Sequence, residues 1–423
     1  MLTLLGVMAI TIALGIPIAF SIAISGVFYL LFQSSVPVLV LAQRMVVGVD
    51  SFTLLAIPLF LLAGAVMAEG GITPRITRFA ATLVGHIPGG MAMVMVMSCM
   101  LFGAISGSGV ADVAAIGSIM LPAMKEQGYR PPFSAALLGC AGSLGTIIPP
   151  SIVMVVLGVS MGVSIGKLFL GGIIPGIITG GALMGISYIF AVRNHYPRMP
   201  RATWSDVVQA FKGAILPLLT PAIIIGGIVQ GVFTATEAGA VAALYAFVLS
   251  MFVYRKVTWK RFFEICLQVG RTSAVVLFII AAASLFGWVL TAEDMPQKVA
   301  VALLSISSNY WVILILFNLL LLVLGLFMET IAIIIILVPI FFPIMQKMGV
   351  DPIHFGVMIC VNLAVGANTP PLGVDLITAC KVAGIPYEDS IDYIVPFVGA
   401  MIVALSLIIA IPELVTFIPN LSR

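Results

Sequence analysis

The sequence predicts an all-α polytopic membrane protein made of two inverted repeats, each holding a re-entrant helical hairpin and a broken transmembrane helix. Three observations carry this: a scarcity of charge, two long apolar segments with small polar interruptions, and a 221-residue register in which prolines and glycines coincide. Of 423 residues, 62% are hydrophobic and 8% charged, with a mean hydropathy of +1.25. Soluble domains carry about 25% charged residues, so most of this surface must face hydrocarbon. The net charge of +3, with bases scattered between apolar runs, excludes a nucleic-acid binder. Five cysteines (Cys99, Cys140, Cys266, Cys360, Cys380) lie mostly inside apolar runs and form no disulfide framework. His86, His195 and His354 are isolated, which leaves no Cys/His metal constellation.

In chain order, Leu2–Phe32 reads as a first span with a tilt or a bend near Gly15 and Pro17. Further apolar segments run over 52–68, 132–160, 168–192, 214–232, 234–254, 270–292, 354–382 and 390–415. Basic residues cluster at Arg75 and Arg78, at Arg193, Arg198 and Arg201, and at Arg255, Lys256, Lys260 and Arg261. The positive-inside rule puts all three clusters in the cytoplasm. That holds if the segment 91–124 does not cross. Its first arm, Met91 to Ile105, reaches only about 22 Å, too short for a ~30 Å core. It then meets Ser106-Gly107-Ser108-Gly109, and a second arm follows to Met124. Two short arms meeting at a small polar tip describe a re-entrant hairpin rather than one helix with a glycine-rich weak point.

A shift of 221 residues aligns Pro122, Met124, Gly128 and Pro131 with Pro343, Met345, Gly349 and Pro352 without a gap. It also aligns Gly145, Pro149, Pro150, Val153, Ile173 and Pro175 with Gly366, Pro370, Pro371, Val374, Ile394 and Pro396. The register puts Phe327-Met328-Glu329-Thr330 opposite the first tip, so 310–345 is a second hairpin. Five crossings lie between the hairpins, so the second enters from the opposite side. Inverted repeats with broken helices meeting at the midplane are the plan of secondary transporters.

Each hairpin precedes a span interrupted by two prolines, Gly145-Thr146-Ile147-Ile148-Pro149-Pro150-Ser151 and Gly366-Ala367-Asn368-Thr369-Pro370-Pro371-Leu372-Gly373. Adjacent prolines remove two amide donors and bias the preceding residue away from the helix, so the span unwinds. The freed carbonyls, with the hydroxyls of Ser106, Ser108, Thr146 and Thr369 and the amide oxygen of Asn368, suit a dehydrated alkali cation. The helix halves restarting there aim their positive N-termini at a carboxylate. Charges within apolar segments are functional candidates. Asp112 follows the first tip by one turn, where it favours the helix N-terminus, caps it or faces the cavity, and Glu329 sits at the second tip. Glu237 reads as the N3 partner of a capping box with Thr234. Asp375 and Lys381 lie beyond the second proline pair. Lys381 either snorkels to the cytoplasmic interface or attracts an anionic substrate. No histidine within an apolar segment can serve Ser106 or Ser108 as a base. Gly162–Lys167 lacks the spacing and the Ser/Thr of a phosphate loop, so the reading is a transporter and not an enzyme.

Together, Ser106-Gly107-Ser108 with Asp112, Pro149-Pro150-Ser151-Ile152, Phe233–Ala238, Thr369-Pro370-Pro371-Leu372-Gly373, and Asp50-Ser51-Phe52 with Pro58 resemble the large membrane subunit, DctM type, of tripartite ATP-independent periplasmic (TRAP) transporters. The resemblance covers essentially the whole chain. It implies an inner-membrane, Na⁺-driven importer of organic acids with an elevator motion. A periplasmic binding protein would deliver the substrate and a small four-helix membrane subunit would brace the scaffold; neither nucleic acid nor an organic cofactor is implied. Carried over, the Na⁺ candidates are Ser106, Gly107, Ser108, Gly145, Thr146, Pro149, Met328, Glu329, Gly366, Asn368, Thr369 and Pro370. The substrate candidates are Ser108, Asp112, Ser151, Thr330, Gly373, Asp375 and Lys381. The sequence departs from the family pattern at Glu329, where aspartate is usual, and at Ala367-Asn368, where bulkier apolar residues are frequent. The implied division is 1–88 as scaffold and arm helix of repeat 1, and 89–192 as one transport half with hairpin 91–125 and broken helix 132–160. Residues 193–308 form linker, scaffold and arm of repeat 2, and 309–423 the other transport half with hairpin 310–346 and broken helix 353–382. The competing reading is a passive channel for small organic anions, which uphill accumulation under a Na⁺ gradient would exclude.

Overall fold

The computed structural model describes residues 2–33, 36–307 and 309–421, and these are helical, with no strand among them. The first apolar stretch is not one span. It divides into α1 (Leu2–Ala13) and α2 (Ile18–Phe32), with Gly15 at φ +80° and Pro17 in the turn. Thr3 Oγ1 donates to Gln33 Oε1 at 2.5 Å, so the far ends of the two helices meet and the segment is a hairpin. The left-handed glycine, followed by a proline that cannot donate, reverses the chain where hydrophobicity alone shows no break.

After α3 (Leu39–Val49), a 3₁₀ turn over Phe52–Leu55 leads into α4 (Ala56–Glu69). The amphipathic α5 (Thr73–Val84) connects to the first hairpin, α6 (Gly90–Ser106) and α7 (Gly109–Glu126). The first broken helix is α8 (Pro131–Gly142) and α9 (Ile152–Met161), and α10 (Ile165–Arg193) returns. Next come α11 (Trp204–Val229), α12 (Ala235–Val248) continued by a π-helical turn over Leu249–Val253, and α13 (Trp259–Ala292). Capping boxes Thr203/Asp206 and Thr234/Glu237 open α11 and α12. The second repeat closes with α14 (Met295–Ile306), the hairpin α15 (Tyr310–Gly325) and α16 (Thr330–Lys347), and the broken helix α17 (Pro352–Gly366) and α18 (Val374–Ala383). The last predicted segment, 390–415, is also two helices, α19 (Ile391–Ala410) and α20 (Glu413–Leu421), separated at Pro412.

The repeat register holds in the backbone. Adding 221 to the ends of α7 gives the ends of α16, and Gly128 and Gly349 both have φ +83°. The Pro149-Pro150 and Pro370-Pro371 bonds are both cis. The arms α5 and α14 correspond to within a residue, but α13, a single 34-residue helix, stands opposite α3, the turn and α4.

Contacts fix the sidedness. Arg78 donates to Gln209 at 3.1 Å, the Arg75 guanidinium stacks 3.8 Å over Tyr254, and Gly90 N–H donates to Pro197 O at 3.3 Å. The three basic clusters therefore share one end of the molecule, the cytoplasmic end by the positive-inside rule. Tyr129, just after α7, stacks on Tyr196 at the same end, with ring centroids 4.2 Å apart. The second hairpin opens oppositely: Gly356, in the first turns of α17, packs against Leu168 at the start of α10. Seven helical stretches among the described residues are long and apolar enough to cross a membrane.

Candidate ion and substrate site

The first tip is built by its two glycines and two serines. Gly107, at φ +66°, ends α6 in the left-handed conformation, and its N–H donates to Gly103 O at 3.1 Å. Ser108 is extended at the N-cap of α7, but its side chain makes no cap bond. Instead Ser108 N–H donates to Ser106 Oγ at 3.2 Å, and the Ser106 hydroxyl donates to Asp112 Oδ1. Asp112 is fully buried, and its Oδ2 has no hydrogen-bond partner among the described residues. A methyl on Gly145 would lie 2.3 Å from that oxygen, so the first tip and the first break enclose the carboxylate together. The tip is also tied to the restarting helix, since Ile152 N–H donates to Gly107 O at 3.2 Å. Within the break, Ser151 caps α9 by accepting from Met154 N–H at 3.4 Å and donates to Thr146 O at 2.6 Å.

The second tip solves the same problem differently. Glu329 is the N-cap of α16, and its Oε2 accepts from Ile331 N–H at 3.0 Å and Ala332 N–H at 3.2 Å. The positive end of α16 is thus satisfied by its own carboxylate. In the second break Thr369 Oγ1 donates to Val365 O at 2.8 Å and Asn368 Nδ2 donates to Ala364 O at 3.0 Å. Asn368 Oδ1 is buried without a partner among the described residues. Asp375, in the first turn of α18, lies against Gly109, where a methyl would meet its Oδ2 at 2.7 Å. The second break thereby touches the first tip.

Between the tips lies a cavity of about 480 Å³. Of the predicted site residues, Ser106, Gly107, Ser108, Thr146, Met328, Glu329, Thr330, Gly373 and Asp375 line it. Asp112, Gly145, Pro149, Ser151, Gly366, Asn368, Thr369 and Pro370 stand behind that wall, in or against the breaks. Lys381 is apart from it, exposed in the last turn of α18. Sequence reading missed the opposite wall, which comes from Leu61, Gly64 and Ala65 of α4 and Gln268, Val269, Thr272 and Val276 of α13. The available signal was two polar residues one turn apart, Gln268 and Thr272, in a stretch that also carries Glu264, Arg271 and Ser273. Among the described residues no cluster of three His, Cys, Asp or Glu side chains occurs. Any cation held here would rest on carbonyls, hydroxyls, amides and single carboxylates.

The family model for the tripartite ATP-independent periplasmic transporter, DctM component, matches residues 5–414. The chain belongs to the DctM family. As a DctM-family chain it is a multi-pass inner-membrane transporter subunit, a large permease and not an enzyme. It is 41% identical over 418 residues to the isethionate TRAP transporter permease protein DctMQ of Oleidesulfovibrio alaskensis, covering 98% of this chain and 65% of that relative. It thus spans slightly less than two thirds of that relative's length. It is 42% identical over 400 residues to the C4-dicarboxylate TRAP transporter large permease protein DctM of Pseudomonas aeruginosa, covering 95% of this chain and 94% of the relative. Among solved structures, the Alcanivorax borkumensis YdaH transporter superposes with a TM-score of 0.61 at 17% identity, covering 90% of this chain and 89% of that one. That likeness speaks for the fold.

Proposed function

We propose that this DctM-family chain moves a small organic-acid anion inward together with Na⁺, receiving the anion from a periplasmic binding protein and braced by a small membrane subunit. The observation that carries the reading is the cavity itself. Two oppositely entering hairpin tips and two unwound breaks supply its oxygens, while α4 and α13 close its far side. The N-termini of α7, where Ser108 makes no side-chain cap bond, and of α18, where Gly373 at the cap has no side chain, offer partial positive charge to a carboxylate. The buried, unpartnered oxygens of Asp112 and Asn368, each beside a break, suit cations, one per repeat. Cations at the breaks would pin the tips and complete the anion pocket.

The hairpins and broken helices (89–192 and 309–423) would then act as the moving body, shifting against the helices of 1–88 and 193–308 in an elevator motion. The cargoes named for the two relatives, a C4-dicarboxylate and isethionate, are both small organic anions, which makes succinate and isethionate the first probes. The test is uptake into proteoliposomes holding the complete tripartite system. Uphill accumulation driven by an inward Na⁺ gradient is expected; uptake indifferent to Na⁺ overturns the coupling.

A further inference from the structure

The cargo cavity has no Lys, Arg or His among its lining residues, and its hairpin side presents hydroxyls, backbone and the carboxylates of Glu329 and Asp375. Gln268 is the one lining residue whose side chain carries N–H donors. Its neighbour one turn on, Thr272, donates its hydroxyl back to Gln268 O at 3.2 Å, while the Gln268 amide group has no partner among the described residues. The side chain is exposed to the cavity rim, whereas Val269 and Ile265 pack inward and Phe263, Leu267 and Val275, with the charged Glu264 and Arg271 among them, make the outer face of α13.

Its height is informative. Gln268 lies nine residues beyond Trp259, about 14 Å along a helix about 51 Å long. The same end is marked by Arg261 Nε bonding Glu69 Oε2 at 2.5 Å, and Gly64 of α4 faces the cavity five residues before Glu69. The cavity therefore sits in the half of α13 nearest the basic, cytoplasmic end. Every other polar side chain lining it, Thr272 apart, belongs to the hairpins and broken helices.

We infer that Gln268 is a specificity-determining residue on the static side of the site, donating its amide N–H to the carboxylate or sulfonate of the cargo when the hairpins stand at this cytoplasmic position. The inference rests on the functional reading above. When the hairpins rise along α13 the cargo leaves Gln268 behind. The anion thus has a donor at the release position that its carrier does not transport with it.

The experiment is equilibrium binding of radiolabelled succinate, and in parallel isethionate, to the purified complex of this chain with its small membrane subunit in saturating Na⁺. Gln268→Leu keeps the volume and removes the donors; it is expected to weaken binding about tenfold, the loss of one hydrogen bond to a charged group. Gln268→Arg adds a cation at the same place and is expected to tighten it. Opposed shifts separate a contact from damage, which would move both variants the same way. Unchanged binding in Gln268→Leu, or weakening in both variants, overturns the inference while leaving Na⁺-driven transport standing. If the unsubstituted complex binds neither anion, the cargo reading fails and the inference fails with it.

Discussion

Gly325 and Gly366 touch backbone to backbone: a methyl on Gly325 would lie 3.0 Å from the Gly366 Cα, and one on Gly366 would lie 2.9 Å from the Gly325 Cα. The first repeat has the same contact between Gly103 and Gly145, where a methyl on Gly103 would lie 2.8 Å from the Gly145 Cα. In each repeat the first arm of the hairpin thus docks on its broken helix where that helix begins to unwind. Backbone cannot yield as a flexible side chain does, so Gly366→Ala and Gly103→Ala force the arms apart. We expect each to lower uptake by about tenfold or more and to cost about 1–3 kcal/mol, the usual penalty of overpacking. Uptake in proteoliposomes and thermal unfolding of the purified complex measure the two effects; wild-type uptake in either variant would contradict the tight docking.

A glycine whose only requirement is its dihedral angle should behave differently. Gly128 and Gly349 share φ +83° and have nothing within 4 Å of an added methyl. Alanine at either position should cost about 1 kcal/mol through the left-handed backbone alone and leave the uptake rate unchanged. Equal losses in melting temperature at the two positions would reflect their equivalence in the repeats, and a transport defect at either would count against it.

Glu329 caps α16 with one oxygen shared between two amides. Glu329→Ala strips that cap, at a cost of about 0.5–2 kcal/mol, and loosens the second tip. Glu329→Asp keeps a good N-cap. The expected order of uptake is wild type, then Asp close behind, then Ala far below, read at fixed Na⁺ in proteoliposomes. An alanine variant as active as the aspartate variant would show that the cap is dispensable.

The two side chains of the second break can be tested together. Asn368→Ala with Thr369→Ala removes a buried amide oxygen without a partner and a hydroxyl bonded to Val365 O. The Na⁺ concentration for half-maximal uptake should rise about tenfold or more, by analogy with the loss of a charge-assisted contact. Undiminished transport at low Na⁺ would remove the second cation site.

The fold was legible where backbone chemistry spoke. Prolines and glycines act through the main chain, so the coincidence of Pro149-Pro150 with Pro370-Pro371, and of Gly145 with Gly366, revealed the repeats, the breaks and the opposite entry of the hairpins. Hydrophobicity was less informative. Leu2–Phe32 is apolar throughout, and its reversal depends on Gly15 and Pro17, which read equally well as a bend. At the site, residues near the tips and breaks were found because polar groups there interrupt apolar runs. Gln268 and Thr272 were missed because they belong to a different helix, brought to the cavity only by the packing of α13 against the hairpins. For Lys381 the spacing left two roles open, and the fold turns it outward, away from the cavity.

The unequal flanks of the two repeats have one more consequence. In the second repeat α13 is an unbroken rod, while its counterpart in the first is jointed between Val49 and Ala56. Two halves of identical mechanics could trade shapes, making the inward and outward forms mirror images of equal energy. A rod cannot adopt the shape of a jointed strut without breaking hydrogen bonds. The two ends of any motion built on these repeats would therefore be unequal in energy even before an ion or an anion binds, a bias set by the main chain.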